Sequence, residues 1–169
     1  MAFPGRPRAH DPIADEIRKT INATTSPDEV VALIDRGGVD VLDGEAQTPL
    51  VRSACSGNKK LVAWLLSKSA NINHQDRNGW SALYSAVQAK HLDVVLYLLD
   101  AGASIDLKDN YGNTPLWRAT FDARGQYDFV KLLVAKGANP NSKNNADRSP
   151  VDFALQIKDA ELLKILQSG

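Results

Sequence analysis

The amino-acid sequence repeats itself with a period of 33 residues, and no other feature restricts its fold as strongly. Three copies open at Asp43, Asp76 and Asp109. Each opening is followed five residues later by a threonine or serine and, two residues after that, by a leucine. A fourth, more degenerate copy begins at Asn144. A fixed period of about 20 to 50 residues is typical of repeat proteins, in which each unit buries its apolar face against the next.

Each copy contains the local signals for a turn followed by two helices. A hydroxyl residue caps the free N–H groups of the first helix, and in three of the four copies a proline at the first helical position loses no hydrogen bond. The second helix carries apolar residues at helical spacing, and Gly102 and Gly137 end two of these helices. The sequence therefore predicts an all-α repeat solenoid of helix pairs, with turns or hairpins near 77–80, 110–113 and 145–148.

The pattern Asp-x-x-Gly-x-Thr-Pro-Leu, which stands at Asp109–Leu116, resembles the signature of the ankyrin-repeat family. The resemblance covers residues 43–169. It implies stacked units of a β-hairpin or turn followed by two antiparallel helices. It also implies a non-enzymatic module that binds a protein partner through a concave surface, which the hairpins and inner helices line.

The repeat boundaries suggest how the chain is divided. Residues 1–11 are rich in proline and are expected to form a flexible tail. Two helical segments follow, and Ser26 with Glu29 predicts a capping box at the start of the second. We therefore expect an ankyrin-repeat domain over 12–169, which consists of a cap at 12–42 and repeats at 43–75, 76–108, 109–143 and 144–169.

Two copies depart from the pattern. The third holds two additional residues between its helices, within 121–127, so the loop there is expected to bulge. The fourth has Asn144 and Asp147 where the others have an aspartate and, in two cases, a turn glycine. Aspartate adopts the left-handed turn conformation less readily than glycine. The hairpin before the last repeat is therefore expected to be less regular.

The composition offers little sign of catalysis or of a charged ligand. The 20 basic and 20 acidic residues balance, which argues against nucleic acid and membrane surfaces as partners. The histidines, His10, His74 and His91, show no metal-ligand spacing, and Cys55 has no evident partner base. We expect no metal, no cofactor and no enzyme activity. A catalytic or accessory role through Cys55 or the histidines remains the alternative from a different class.

The same features suggest where the chain works. A lone cysteine favours a reducing compartment, and no apolar run approaches the roughly 18 residues that span a bilayer. The N-terminal stretch carries Arg6 and Arg8 but no apolar segment of the kind that signal peptides need. We therefore expect a cytoplasmic protein that is monomeric on its own.

Aromatic side chains at family contact positions indicate the binding surface. Interfaces are enriched in Trp, Tyr and Arg anchors. Tyr84 and Trp117 could instead pack between neighbouring repeats, and this alternative stays open. The predicted partner-binding residues are Arg77, Trp80, Tyr84, Asn110, Tyr111, Asn113, Trp117 and Phe121.

The sequence therefore favours a protein-binding module with a partner of unknown identity. A more specific alternative is a dedicated inhibitor or immunity protein, which neutralises a toxin or an enzyme by direct binding. A structural spacer without a partner is a third interpretation, since a fold alone does not determine function.

Overall fold

The computed structural model describes residues 12–168, and in this range the chain forms ten α-helices and no β-strand. The helices are α1 (Pro12–Thr20), α2 (Pro27–Gly37), α3 (Pro49–Cys55), α4 (Lys59–Ser67), α5 (Ala82–Gln88), α6 (Leu92–Asp100), α7 (Pro115–Phe121), α8 (Asp128–Ala135), α9 (Pro150–Ile157) and α10 (Ala160–Leu166). The predicted all-α repeat solenoid of helix pairs is confirmed. The tail predicted for residues 1–11 lies outside the described residues.

The first helix of each repeat begins where the sequence places a hydroxyl residue. The side-chain oxygen of each cap accepts a hydrogen bond from the backbone N–H three residues later, at 3.1 to 3.3 Å. This bond satisfies one of the N–H groups that a helix start leaves free. The four caps are Thr48, Ser81, Thr114 and Ser149.

The core runs through all repeats without interruption. The leucine two residues after each of the first three caps is fully buried: Leu50, Leu83 and Leu116. The second helices contribute further buried leucines, for example Leu65 and Leu98. One repeat cannot enclose these side chains, so the free energy of apolar burial is gained only when neighbours stack.

The helices pack with their counterparts in the neighbouring repeat. The inner helices α3, α5, α7 and α9 stack in that order, and α1 continues this row at the N-terminal end. The outer helices α2, α4 and α6 form a second row, and α8 packs on α10. The short hairpin turns project from the inner row, and this arrangement positions the candidate site.

One backbone hydrogen bond joins each hairpin to the next. The N–H groups of Arg77, Asn110 and Asn145 donate to carbonyl oxygens of the preceding hairpin at 3.1, 3.0 and 2.9 Å. Gly79 and Gly112 allow this close approach. Each has a positive φ, and a Cβ at either position would stand 2.8 Å from a backbone nitrogen of the next hairpin.

The loop between α7 and α8 bulges as the sequence predicts. It spans six residues, 122–127, whereas the corresponding loops of the two preceding repeats span three. Arg124 and Gly125 take positive φ angles of 43° and 84°, which turn the chain outward. The helices α6 and α8 have fewer close approaches than the other neighbouring outer helices.

The expectation of a less regular fourth hairpin is wrong. Its backbone bonds from Asn144 to Arg148 and from Asp147 to Asn144, at 3.0 and 2.9 Å, match those of the third hairpin. Asn144 Oδ1 accepts the N–H groups of Ala146 and Arg148, as Asp109 does for its own turn. The amide oxygen replaces the carboxylate, and Asp147 adopts the left-handed conformation at φ 57°.

The two described histidines contact backbone carbonyl groups, His74 within the repeat 43–75 and His91 across the junction to that repeat. His74 Nε2 lies 2.8 Å from the carbonyl oxygen of Ala46, and His91 Nε2 lies 3.1 Å from that of Cys55. Across residues 12–168, no three His, Cys, Asp or Glu side chains are arranged to hold a metal ion. No helix in this range has the length and apolar character needed to cross a bilayer.

Candidate functional site

One side of the solenoid carries the four hairpin turns and the solvent-facing sides of the inner helices; we call it the hairpin face. Its turns comprise residues 44–47, 77–80, 110–113 and 145–148. Side chains of the turns and of the helices meet on this face. For example, Arg52 of α3 donates to the side chain of Gln47 at 2.8 Å and forms an ion pair with Asp43 at 3.4 Å.

In the second repeat, the predicted aromatic residues form a stacked pair. The rings of Trp80 and Tyr84 lie 5.6 Å apart between centroids, at an interplanar angle of 13°. Trp80 is half-buried and keeps part of its ring accessible. Because the second ring already restricts the anchor, little further side-chain entropy is lost when the anchor contacts a partner.

Tyr84 cannot itself contact a partner, which corrects its place among the predicted binding residues. Its side chain is only 3% exposed, and its hydroxyl donates to Asp109 Oδ2 of the next repeat at 3.0 Å. Burial, together with the nearby Asp109 carboxylate, raises the pKa of the Tyr84 phenol. Of the two interpretations open for Tyr84, packing between repeats is the one observed.

Repeats three and four together build an aromatic platform, which we define as Trp117, Phe121, Phe153 and Arg148. The ring of Phe153 lies 5.7 Å from Trp117, edge to face, and 5.5 Å from Phe121. The guanidinium of Arg148 lies 5.9 Å from the centroids of both Trp117 and Phe153. Phe121 is 55% exposed, so the platform presents an apolar ring beside a cation.

The remaining predicted residues lie at the hairpin tips. Tyr111 is 73% exposed, the highest exposure among the large apolar and aromatic side chains of the described range. Arg77 and Asn110 are also exposed, but Asn110 Nδ2 donates to the Arg77 carbonyl at 2.7 Å and so holds the two tips together. Asn113 is half-buried and donates to Asp109 Oδ2 at 3.3 Å.

Sequence reasoning missed Phe153 and Arg148. Arg148 occupies the same hairpin position as Trp80 and Asn113, so the repeat register alone carried the signal for it. Phe153 is aligned with Ser85 and with polar residues in the other repeats, and no local pattern marks it. Only the packing of α9 against α7 shows that it supports the predicted aromatic residues.

A competing apolar surface lies on the outer side of the solenoid. Leu92 and Leu96 are 42% and 40% exposed and lie one turn apart on α6. These two residues provide a matched apolar comparison for the hairpin face.

Models of the ankyrin-repeat family match most of the chain. A model described as ankyrin repeats in three copies covers residues 21–109, and a model of the single ankyrin repeat covers residues 111–145. This chain belongs to the ankyrin-repeat family. Ankyrin repeats are generally modules for protein–protein interaction, and the repeats are typically non-catalytic.

Similar proteins occur in distant organisms. The ankyrin repeat and SAM domain-containing protein 6 of Rattus norvegicus is 33% identical over 102 residues, which cover 60% of this chain and 12% of that protein. An ankyrin repeat protein of fowlpox virus is 30% identical over 83% of this chain and 43% of its own length. One from Rickettsia felis is 33% identical over 69% and 39%, respectively. The chain thus spans less than half the length of each of these relatives.

Proposed function

We propose that this ankyrin-repeat chain captures a protein partner on its hairpin face, which corresponds to the concave surface of the family. The observation that carries the proposal is the concentration of accessible aromatic side chains on this one face. Tyr111 and Phe121 are largely exposed, and the half-buried Trp80 and Trp117 are each held by a neighbouring ring.

This arrangement has the properties expected of a binding hot spot. A stable interface buries roughly 800 Å² per partner, and a few central aromatic residues supply most of its free energy. We propose as contact residues Arg77, Trp80, Asn110, Tyr111, Asn113, Trp117 and Phe121, to which we add Arg148 and Phe153. The buried ring of Tyr84 stacks on Trp80 and restricts its orientation.

A photoreactive side chain tests which face the partner uses. We suggest replacing Tyr111 with a benzoyl-phenylalanine residue, and Leu96 of α6 in a matched variant, and irradiating each in extract of the native cell. The proposal expects a protein that cross-links from position 111 and not from position 96. Cross-linking from position 96 alone would show that the partner binds the outer helices, and the proposed site would then be wrong.

The cross-linked partner also decides whether the chain inhibits it. We propose neutralisation of an enzyme or toxin as the more specific form of the binding function. If it holds, one equivalent of the chain abolishes the partner's activity. Full activity in the saturated complex would instead indicate scaffolding.

We further propose that the chain acts as a cytoplasmic monomer without metal or cofactor. The two described histidines are already engaged with backbone carbonyl groups, which supports this proposal. Leu155 and Ile157 are exposed on α9, which makes them one of the apolar surfaces available for self-association. Sedimentation of the wild type and of Leu155→Lys should give the same monomer mass, and a chelator should leave the melting temperature unchanged.

A further inference from the structure

We infer that the aromatic platform recognises an acidic segment of the partner, in which an aspartate or glutamate lies beside an aromatic or large aliphatic side chain. The inference rests on the proposed function and specifies the chemistry of its ligand. The carboxylate would bind the guanidinium of Arg148, and the apolar side chain would lie on Phe121 and Phe153.

The charge of Arg148 is not neutralised within the described part of the chain. The two arginines of the inner helices α3 and α7 each have a carboxylate partner: Arg52 pairs with Asp43 at 3.4 Å, and Arg118 with Asp122 at 2.7 Å. Arg148 forms no such ion pair among residues 12–168, and its guanidinium donates a hydrogen bond to the neutral amide oxygen of Gln156. A guanidinium carries five donor N–H bonds, so most of its donors remain available to a ligand.

The degenerate fourth repeat explains why this cation lacks a partner. The first three repeats open with a carboxylate at the base of the hairpin, whereas the fourth opens with Asn144. Asn144 keeps the backbone bonds of the turn, as described above, but it carries no charge. The exchange therefore preserves the hairpin and removes the one carboxylate that its register would supply beside Arg148.

Two carboxylates lie near Arg148, Asp147 and Asp152, and Asp147 is paired with Lys143 at 3.0 Å. Asp152 Oδ2 accepts the N–H and the hydroxyl of Ser149 at 2.9 and 2.7 Å, as part of the cap of α9. These bonds to Ser149 are the main reason that the pKa of Asp152 is lowered, and the charges of Lys143 and Arg148 contribute less. Asp152 is thus committed to the helix cap and leaves the Arg148 donors open.

The rings determine the apolar half of the ligand. They hold the guanidinium over two aromatic faces, which reduces its freedom before a carboxylate arrives. Phe121 extends the rings toward solvent and is more than half exposed. Charge-assisted hydrogen bonds between arginine and carboxylate are directional, so they fix the orientation of the acidic residue on Arg148. The apolar neighbour of that residue then contacts the ring of Phe121.

A displayed peptide library tests the inference directly. Random 16-residue peptides are selected on the folded chain, and enriched sequences are then synthesised and titrated. We expect an acidic residue within two positions of an aromatic or large aliphatic one. Affinity should fall about tenfold in Arg148→Gln, the range that the loss of a hydrogen bond to a charged group gives. Phe121→Ala should cause a similar loss.

Matched variants separate local from general effects. Arg36→Gln removes an exposed arginine of α2, and Leu96→Ala truncates an exposed leucine of α6; both should bind as the wild type does. Raising the salt concentration should weaken the wild-type complex more than that of Arg148→Gln, because salt screens the ion pair. Thermal melts confirm that each variant is folded.

The outcomes distinguish this inference from the proposed function. Enriched peptides without acidic residues, or acidic peptides that bind Arg148→Gln unchanged, would overturn the inference. If such peptides still lose affinity in Phe121→Ala, the hairpin face remains the binding surface. Peptides that lose affinity for Leu96→Ala but bind Phe121→Ala as tightly as the wild type would contradict both proposals. Failure to enrich any peptide would also overturn the inference, because a linear segment is its stated ligand.

Discussion

Tyr84 and Trp117 occupy the same position in consecutive repeats, yet only Trp117 keeps part of its ring accessible. The hydroxyl of Tyr84 reaches forward to the carboxylate of Asp109, and the side chain is buried at the junction. The repeat after Trp117 opens with Asn144 and places Arg148 and Phe153 against the indole ring. Whether an aromatic side chain at this position is buried or accessible therefore depends on the repeat that follows it.

The direction of hydrogen bonding at the last junction differs from that at the two junctions before it. At the earlier junctions, the opening aspartate accepts from the preceding repeat: Asp76 from Gln47 at 3.1 Å, and Asp109 from Tyr84 at 3.0 Å. At the last junction, Asn144 donates to Asn113 Oδ1 at 2.8 Å. An amide can donate where a carboxylate cannot, so this junction can lack the negative charge without losing its hydrogen bond.

The largest effect on stability is expected from changing the opening residue of the third repeat, Asp109, and it is compared with the effect of changing Asn144 in the fourth. Asp109→Ala removes the carboxylate that accepts hydrogen bonds from two backbone N–H groups, the Tyr84 hydroxyl and the Asn113 amide. Because unpaired buried groups cost about 1 to 3 kcal/mol each, we expect a loss of about 3 kcal/mol in unfolding free energy. Asn144→Ala should cost about half as much. Equal losses in urea titrations would show that the two junctions do not differ as described.

Binding should respond strongly to the accessible aromatic residues. Trp80→Ala combined with Tyr111→Ala should weaken partner binding by about 2 kcal/mol or more, in line with hot-spot values. Lys131→Ala, an exposed change on α8, should leave affinity nearly unchanged. Calorimetric titration with the cross-linked partner measures both. The assignment fails if Lys131→Ala abolishes binding while the double variant binds normally.

The stability of these binding variants should differ. Tyr111 is exposed, and its truncation should change unfolding free energy by less than about 0.5 kcal/mol. Trp80 also belongs to a hairpin, but its ring stacks on Tyr84. Loss of such an aromatic pair should cost about 1 kcal/mol in addition to the burial term. Thermal melts of the two single variants test this difference.

A smaller effect isolates the buried tyrosine. Tyr84→Phe leaves Asp109 Oδ2 without its strongest donor and should cost about 1 to 1.5 kcal/mol. Affinity for the partner should stay the same, because the hydroxyl faces the junction. Tyr127→Phe is the matched control: its hydroxyl donates to Asp159 at 2.7 Å from a more accessible position, and its loss should matter less. A reversed order would contradict the burial argument.

The same tyrosine predicts a dependence on alkaline pH. Because the pKa of Tyr84 is raised in the folded chain, the phenol stays protonated there while the unfolded chain ionises above pH 10. Its contribution to stability is complete below pH 10 and is lost as the pH rises further. Tyr84→Phe should therefore lose less stability than the wild type between pH 9 and pH 11. Parallel losses in urea titrations would contradict this linkage.

The smallest expected effect restores a carboxylate to the fourth repeat. Asn144→Asp can no longer donate to Asn113 Oδ1 and should cost about 1 kcal/mol or less. It also places a negative charge beside Arg148. Acidic peptides should therefore bind about threefold more weakly, a loss of under 1 kcal/mol. Tighter binding of acidic peptides by this variant would contradict the role given to Arg148.

Local chemistry explains why much of the fold could be read from the sequence. Hydroxyl caps, first-turn prolines and turn glycines act through their own backbone, so their positions fix the helix starts and turns. Contacts between repeats are not local. Whether Tyr84 is buried depends on Asp109, which lies 25 residues away, and the exposure of Trp117 depends on Phe153. The fourth hairpin kept its geometry because an amide oxygen accepts the same bonds as a carboxylate.

The hydrogen bond that joins each hairpin to the next makes the solenoid a chain of coupled units. The aromatic platform spans the junction between the third and fourth repeats. A partner held there would therefore contact two coupled units at once, and we expect it to slow amide hydrogen exchange in α7 and α8 as well as in α9 and α10.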